Sequence, residues 1–506
     1  MRETYGAGIG GSSRGMLHAK HDILSFLLGK RSLPVLRFAS CEAVMDRAGI
    51  GGSSRSMLHA KHDILSFLLG KRSLQVLRFA SCEAVMDGAE IGGSSRSIGR
   101  ILAPATRLLP SRRRAYVWLA VMAALAILPI PAMADDSAPA DAWPMARGCA
   151  AGTGRSATTL RLPLAEKWHR GFEKTAFGAV PTIADNTIYL GDLDGTFHAL
   201  DLATGKTKWT FKAEAAGFPS AAAVSPDPAQ PLVVVGDDTG VVRAFNRLSG
   251  TLAWEYETEG EISGGPTVLA GNDGDRVLIG SQDASLSCLQ IADGKLLWKH
   301  SIADQIRCSP TVARAADGDR VFLAGCDGKL HVIDVQSGEE KAAVPIDGPT
   351  GTTPATNGDR VFFGTEGGGF FAIDFLKADV AWRAQSAVNG QSYRSSAAIA
   401  GNLVIVGSRG KAVEAFSCAD GTRTWRHPMR GKVDASPIVA TTETGRPVAI
   451  VADSAGKIAA LDAATGETAW EFDAGGGFSA GAALASGHIV IASDDGTVWC
   501  FASPGN

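Results

Sequence analysis

Residues 188–209 decide the fold. They read Ile188-Tyr189-Leu190-Gly191-Asp192-Leu193-Asp194-Gly195-Thr196-Phe197-His198-Ala199-Leu200-Asp201, then Thr204-Gly205-Lys206 and Trp209. Alternation and β-branched residues predict a strand over 187–190. Asp194-Gly195 makes a tight hairpin turn, because glycine accepts positive φ there. Residues 196–201 form the returning strand. Thr204-Gly205 is a second turn and 206–211 a third strand. Upstream, 179–183 supply one more strand before Asp185-Asn186. The unit is therefore four short antiparallel strands.

The unit recurs along the chain. Its glycine column reads Gly191, Gly236, Gly280, Gly325, Gly364 and Gly407, then Ala452 and Ala492. Its tryptophan column reads Trp168, Trp209, Trp254, Trp298, Ala342, Trp382, Trp425 and Trp470, at intervals of 39 to 45 residues in either column. Four strands at such a period indicate a β-propeller. The tryptophans are read as structural wedges between neighbouring blades rather than a carbohydrate cleft. The pattern degenerates in copies four and five, where Ala342 replaces Trp and Lys377-Ala378-Asp379 replaces the Thr-Gly turn.

Both ends of the array are partial. Leu164-Ala165-Glu166-Lys167-Trp168 matches a fourth strand with no first three before it, and 489–501 matches second and third strands with no fourth after them. Joined, they complete an eighth blade and leave no open sheet edge. The expected fold is all-β: an eight-bladed β-propeller of four-stranded antiparallel blades, the last closed by the first strand of the mature chain.

Composition is compatible with this. Of 506 residues, 45% are hydrophobic and 20% charged, which excludes wholesale disorder, and 60 glycines point to many turns. Residues 1–134 hold 18 Lys+Arg against 8 Asp+Glu, while the rest hold 31 against 44. An acidic body argues against sequence-independent nucleic-acid binding. Ser111-Arg112-Arg113-Arg114, the apolar run 115–131 and Ala132-Met133-Ala134 read as a secretory signal cut between Ala134 and Asp135. An uncleaved anchor is the alternative. No cysteine stands directly after the cut, so a lipid anchor is not supported. Ahead of it, 8–48 and 49–89 are near-identical copies, differing only at Gly15/Ser56, Pro34/Gln75 and Arg47/Gly88. Such uniform identity reads as recent DNA duplication, with translation expected to begin downstream. Two amphipathic helices, 16–33 and 57–74, are the alternative. The expected plan is 1–110 repeats, 111–134 signal, 135–163 lead-in, 164–501 propeller and 502–506 tail.

Tyr189-Leu190-Gly191, Asp194-Gly195, Ala199-Leu200-Asp201, Thr204-Gly205-Lys206 and Trp209, with Ala459-Ala460-Leu461-Asp462, Thr465-Gly466-Glu467 and Trp470, resemble the pyrroloquinoline-quinone (PQQ)-type propeller repeat. The resemblance covers about 164–501. That superfamily holds quinoprotein alcohol dehydrogenases and non-catalytic propellers of the BamB type, and size and repeat regularity are closer to the latter. Trp143-Pro144-Met145-Ala146-Arg147-Gly148 also resembles an N-terminal motif of secreted propellers of this class. The dehydrogenases would imply PQQ, Ca²⁺, a catalytic carboxylate, adjacent cysteines and long insertions. This chain has no adjacent cysteines and no long insertion. The BamB resemblance implies envelope or outer-membrane assembly partners.

The residues add little chemistry of their own. There is no GxSxG, HExxH or Walker A motif, and His169, His198, His300, His331, His427 and His488 are scattered, so neither catalytic nor metal residues are expected. Cys308 and Cys326 lie equidistant from position 317, so a cross-strand disulfide or two buried thiols are the alternatives. Aligning first strands gives one column of Phe177, Phe218, Ile262, Ile306, Thr350, Tyr393, Val433 and Phe478. The next reads Gly178, Pro219, Ser263, Arg307, Gly351, Arg394, Asp434 and Ser479. Exposed, the apolar column is a docking ring. Buried, as is expected of most members, it is interblade core. The candidate partner-binding residues are Phe177, Phe218, Ile306, Arg307, Tyr393, Arg394, Asp434 and Phe478, with Arg307 and Arg394 able to pair with Asp434. The expected function is a monomeric, non-enzymatic periplasmic scaffold without cofactor. A PQQ- and Ca²⁺-dependent dehydrogenase and a cell-wall carbohydrate-binding propeller are the alternatives.

Overall fold

The computed structural model describes residues 61–64, 78–81 and 137–504, apart from 272–273 and 389. The signal segment with its Ala134/Asp135 junction, and the rest of the duplicated region, lie outside the described residues. Residues 1–130 form one compact unit and 131–506 another. In the first, Lys61–Ile64 pairs antiparallel with Arg78–Ser81, so a strand stands within 57–74, where a helix was the alternative.

The second unit is a ring of eight blades, each four strands wide from channel to rim. No helix occurs among its described residues. Blade 1 is Thr182–Ala184, Thr187–Gly191, Thr196–Asp201 and Thr207–Lys212. The innermost strand is shorter than expected, because Pro181 offers no N–H to a ladder. Pro266, Pro310, Pro354 and Pro437 stand in the same place in four other blades. In every blade one residue bulges between the third and fourth strands, just past the position opposite the tryptophan, or opposite Ala342 in blade 4. A bulge there increases the local twist of the outer strand.

The ring closes as the partial repeats require. Ala165–Gly171 pairs antiparallel with Thr497–Ala502, setting Trp168 opposite Cys500. Blade 8 thus combines a strand from the start of the repeat array with three from its end.

The tryptophans weld neighbouring blades. Trp168, Trp209, Trp254, Trp298, Trp382 and Trp425 each donate Nε1–H to a carbonyl of the next blade, at 2.8–3.0 Å. Each also covers a turn glycine of that blade: Gly205, Gly250, Gly294, Gly338, Gly421 and Gly466. A Cβ on those glycines would sit 2.6–2.8 Å from the indole. Trp470 faces blade 8, where no turn joins the last two strands, and meets Phe472 and Phe501 instead.

The lead-in runs round the channel before it reaches blade 8. Trp143 exchanges two backbone bonds with Ile183. The carbonyls of Pro144, Ala150, Ala151, Thr153 and Gly154 then accept from Val224, Val312, Thr356, Ile399 and Val439. These donors occupy one equivalent position on the innermost strands of blades 2, 4, 5, 6 and 7, and Ile183 holds it in blade 1. In blade 3 the contact is Ala146 against Gly265. Arg155–Leu160 finally adds a parallel fifth strand inside blade 7. Open inner edges are thus satisfied by the chain itself.

Candidate functional site at the channel mouth

With the lead-in occupying the end of the channel nearest the first hairpin turns, the opposite mouth carries the loop residues. The apolar column lies just beneath it and is buried: Phe177, Phe218, Ile262, Ile306, Thr350, Tyr393, Val433 and Phe478 are all at most 1% exposed. Phe177, Phe218, Ile306, Tyr393 and Phe478 are therefore core residues and not docking anchors. The glycine column explains why. A Cβ on Gly191, Gly236, Gly280, Gly364 or Gly407 would come within 2.2–2.4 Å of Phe218, Ile262, Ile306, Tyr393 or Val433. Each glycine is a notch for the apolar residue of the following blade. In blade 4 the equivalent position is held by Ala324, opposite Leu330, and not by Gly325 as the sequence column has it.

Tyr393 is further fixed by its Oη–H, which donates to Glu414 at 2.9 Å. Burial and the facing carboxylate push its phenol up from the ordinary range. Glu414 is 1% exposed and accepts from Arg423 Nε at 3.0 Å.

The next column forms the accessible rim. A depression of about 400 Å³ lies over blades 3 to 6, walled by Glu261, Gln282, Arg307, Glu366 and Arg394. Arg394 pairs with Glu366 at 2.7 Å. Asp434 pairs with neither Arg307 nor Arg394. Its partner is Arg409, whose Nε and Nη2 both reach it, at 2.9 and 2.7 Å, because blade 6's second hairpin turn abuts Asp434. Arg307 hydrogen-bonds only the neutral Gln305, at 3.0 and 2.6 Å, and has no ion-pair partner among the described residues. At the other end a cleft of about 670 Å³ lies between lead-in and blades 1–3, where Arg247 is matched by Asp185 at 3.0 Å.

Cys308 and Cys326 are free thiols. Ala315 pairs with Gly318, so the hairpin turns on two residues, and its register, continued beyond Thr311, runs 308 towards 325 and not 326. A one-residue offset directs neighbouring side chains to opposite faces. Burial pushes the Cys308 thiol up to about 12.

A Ca²⁺ site needs several unpaired oxygen ligands converging on the ion. Glu366 and Asp434 are each held by a guanidinium. Among the described residues no three His, Cys, Asp or Glu side chains converge as a metal site.

A family model described as outer membrane protein assembly factor BamB matches residues 164–314 and 307–501. An outer membrane protein assembly factor BamB of Xanthomonas campestris pv. campestris is 32% identical over 91 residues, covering 17% of this chain and 22% of that relative. The alignment thus spans about a fifth of the relative's length. Among solved structures, BamB from Moraxella catarrhalis superposes with a TM-score of 0.53 at 16% identity, over 67% of this chain and all of the other. Quinohemoprotein alcohol dehydrogenase from Comamonas testosteroni gives 0.58 at 14% identity, over 74% and 82%. The computationally designed Ika8 protein gives 0.53 at 17%, over 66% and 98%. At these identities the structural likenesses establish the fold.

Proposed function

The chain belongs to the family of the outer membrane protein assembly factor BamB, and from that premise we propose that it is a non-enzymatic scaffold that holds protein partners at its channel mouth during outer-membrane protein assembly. The observation that carries this reading is the state of the rim cations. Arg394 and Arg409 are neutralised within the ring, whereas Arg307 is exposed and has no carboxylate partner among the described residues. Rim charges of this kind steer association and set register with a partner of opposite sign. The reading takes the chain to be exported by the signal ending at Ala134, to work in the periplasm as a monomer, and to need no cofactor.

Site-specific photocrosslinking from residue 263, beside Arg307 in the depression, tests it in living cells. The expected product is an adduct with an envelope protein, reduced by Arg307→Glu. Reduction of a redox dye by purified protein given PQQ, Ca²⁺ and an alcohol, with no envelope adduct, overturns the scaffold in favour of a dehydrogenase.

A further inference from the structure

Among the described residues, the lead-in makes backbone bonds to every blade but the third. It accepts from Val224 in blade 2, from Val312 in blade 4 and from Ser486 in blade 8. Blade 3 has the same inner strand, Thr267–Leu269. Val268 stands opposite Val277 there, as Val224 stands opposite Val233 and Val312 opposite Val321. Alternate residues of a strand turn their N–H groups to opposite sides, so equal register aims the Val268 N–H at the channel, as in the other blades. No backbone acceptor meets it among the described residues. Backbone N–H groups left unpaired are rare away from water. The lead-in misses Val268 because it turns tightly between Pro144 and Ala150. Gly148 N–H donates to the Met145 carbonyl at 2.9 Å, and the turn meets blade 3 at Gly265, three residues before Val268.

Val268 instead lines the cleft of about 670 Å³ between the lead-in and blades 1–3. Clefts of this size hold ligands. One wall is the first hairpin turn of blade 2, which spans 225–231 where blade 1 uses only Asp185 and Asn186. Pro226 and Pro228 of that turn face the cleft and stiffen it. Arg247, also at the cleft, is already engaged. Its Nη2 pairs with Asp185 at 3.0 Å and its Nη1 donates to the Ser225 carbonyl at 3.4 Å. Asp141 is exposed, lines the same cleft and makes no ion pair among the described residues. The cleft therefore combines an open strand edge with one uncompensated negative charge.

We propose that this cleft binds an extended, basic protein segment, whose backbone carbonyl accepts from Val268 N–H and whose Lys or Arg side chain faces Asp141. The occupant must offer an extended backbone, because that is what the lead-in supplies at the same position in the neighbouring blades. It thus continues a set of contacts the chain has already built. Strand addition of this kind takes its affinity from main-chain bonds and its specificity from side chains. The positive charge answers Asp141 and rejects acidic segments. The site lies at the end opposite the rim depression and does not depend on what binds there.

The test titrates the full chain into three fluorescein-labelled peptides and follows their anisotropy at low salt. One alternates valine and lysine, one alternates valine and glutamate, and the third is the lysine peptide with N-methylated backbone amides, which cannot pair as a strand. The lysine peptide should bind saturably, and the other two at least about tenfold more weakly, a difference of about 1.4 kcal/mol. Val268→Pro removes the inward N–H while leaving the ladder bonds of its neighbours, and Asp141→Lys reverses the charge. Each should weaken the lysine peptide by about tenfold or more. No saturable binding of the lysine peptide up to about 1 mM overturns the proposal. So does equal affinity for any two of the peptides, or unchanged affinity in either variant. Should Val268→Pro not fold, the N-methylated peptide and Asp141→Lys decide it.

Discussion

At the scale of single residues, two sequence columns that look separate are halves of one contact. Gly191 leaves the space that Phe218 fills, and a Cβ there would sit 2.2 Å from the Phe218 Cβ. Overpacking of this kind typically costs about 1–3 kcal/mol. Gly191→Ala should lower stability by that amount in chemical denaturation. Gly191→Ala with Phe218→Ala should cost less than the sum of the two, as touching residues couple. The degenerate copies obey the same logic. Trp in one blade covers a turn glycine in the next, so Ala342 and Ala378 are the two sides of one altered seam. Phe375, packed 4.9 Å from Phe322, fills it. Neither substitution is independent decay. Charge is handled locally as well. Burial alone would raise the Asp192 carboxyl, but hydrogen bonds from His198 and from Thr196 N–H outweigh it and hold its pKa below the ordinary value. A depressed carboxylate stabilises the fold above its unfolded pKa, about 3.9, and that stability is lost as pH falls through the folded value. The Asp192 contribution should therefore persist down to about pH 4 and be lost below it, so that Asp192→Asn shallows the fall of Tm in melts below that pH.

At the scale of elements, the decisive pairing is Ala165–Gly171 with Thr497–Ala502. A chain begun after Gly171 loses this strand together with the lead-in and the Arg155–Leu160 strand, and leaves blade 8 with an open edge, which templates association. It should aggregate or melt without a cooperative transition, seen by size exclusion and circular dichroism. In the intact protein, amides of both strands should exchange together, as one cooperative unit. The hairpin of blade 4 carries the second element-level prediction. Its two-residue turn offsets Cys308 from Cys326, so mild oxidation of folded protein should yield no 308–326 linked peptide by mass spectrometry. Expecting a disulfide there takes the turn as three residues. Ala316-Asp317-Gly318 permits either turn, and only the pairing of Gly318 with Ala315 settles the register.

At the largest scale, the propeller unit of residues 131–506 is a ring with two unlike ends. The lead-in fills one end, and the rim with Arg307 surrounds the other. Arg307→Ala should leave stability within about 0.5 kcal/mol of the parent, because the side chain is exposed and makes no ion pair. It should still weaken capture of an envelope partner, and unaltered capture in a binding assay at low salt would remove Arg307 from the interface. Salt should mimic the substitution, since exposed charges are screened beyond about 8–10 Å at physiological ionic strength.

The repeat alone determined the blade count, the four-strand unit and the closure at Trp168, because strand periodicity, turn chemistry and the Gly and Trp columns are local patterns written eight times. Tertiary structure alone decided three further things: that the apolar column is buried, that Asp434 belongs to Arg409, and that residues 143–154 circle the channel. The reason is physical. Residues 143–154 bond through the backbone to blades 1, 2, 4, 5, 6 and 7, with partners about 40 to 285 residues away, and such contacts leave no period in the chain. Rim ion pairs likewise depend on which loops the ring brings together, which no single repeat encodes.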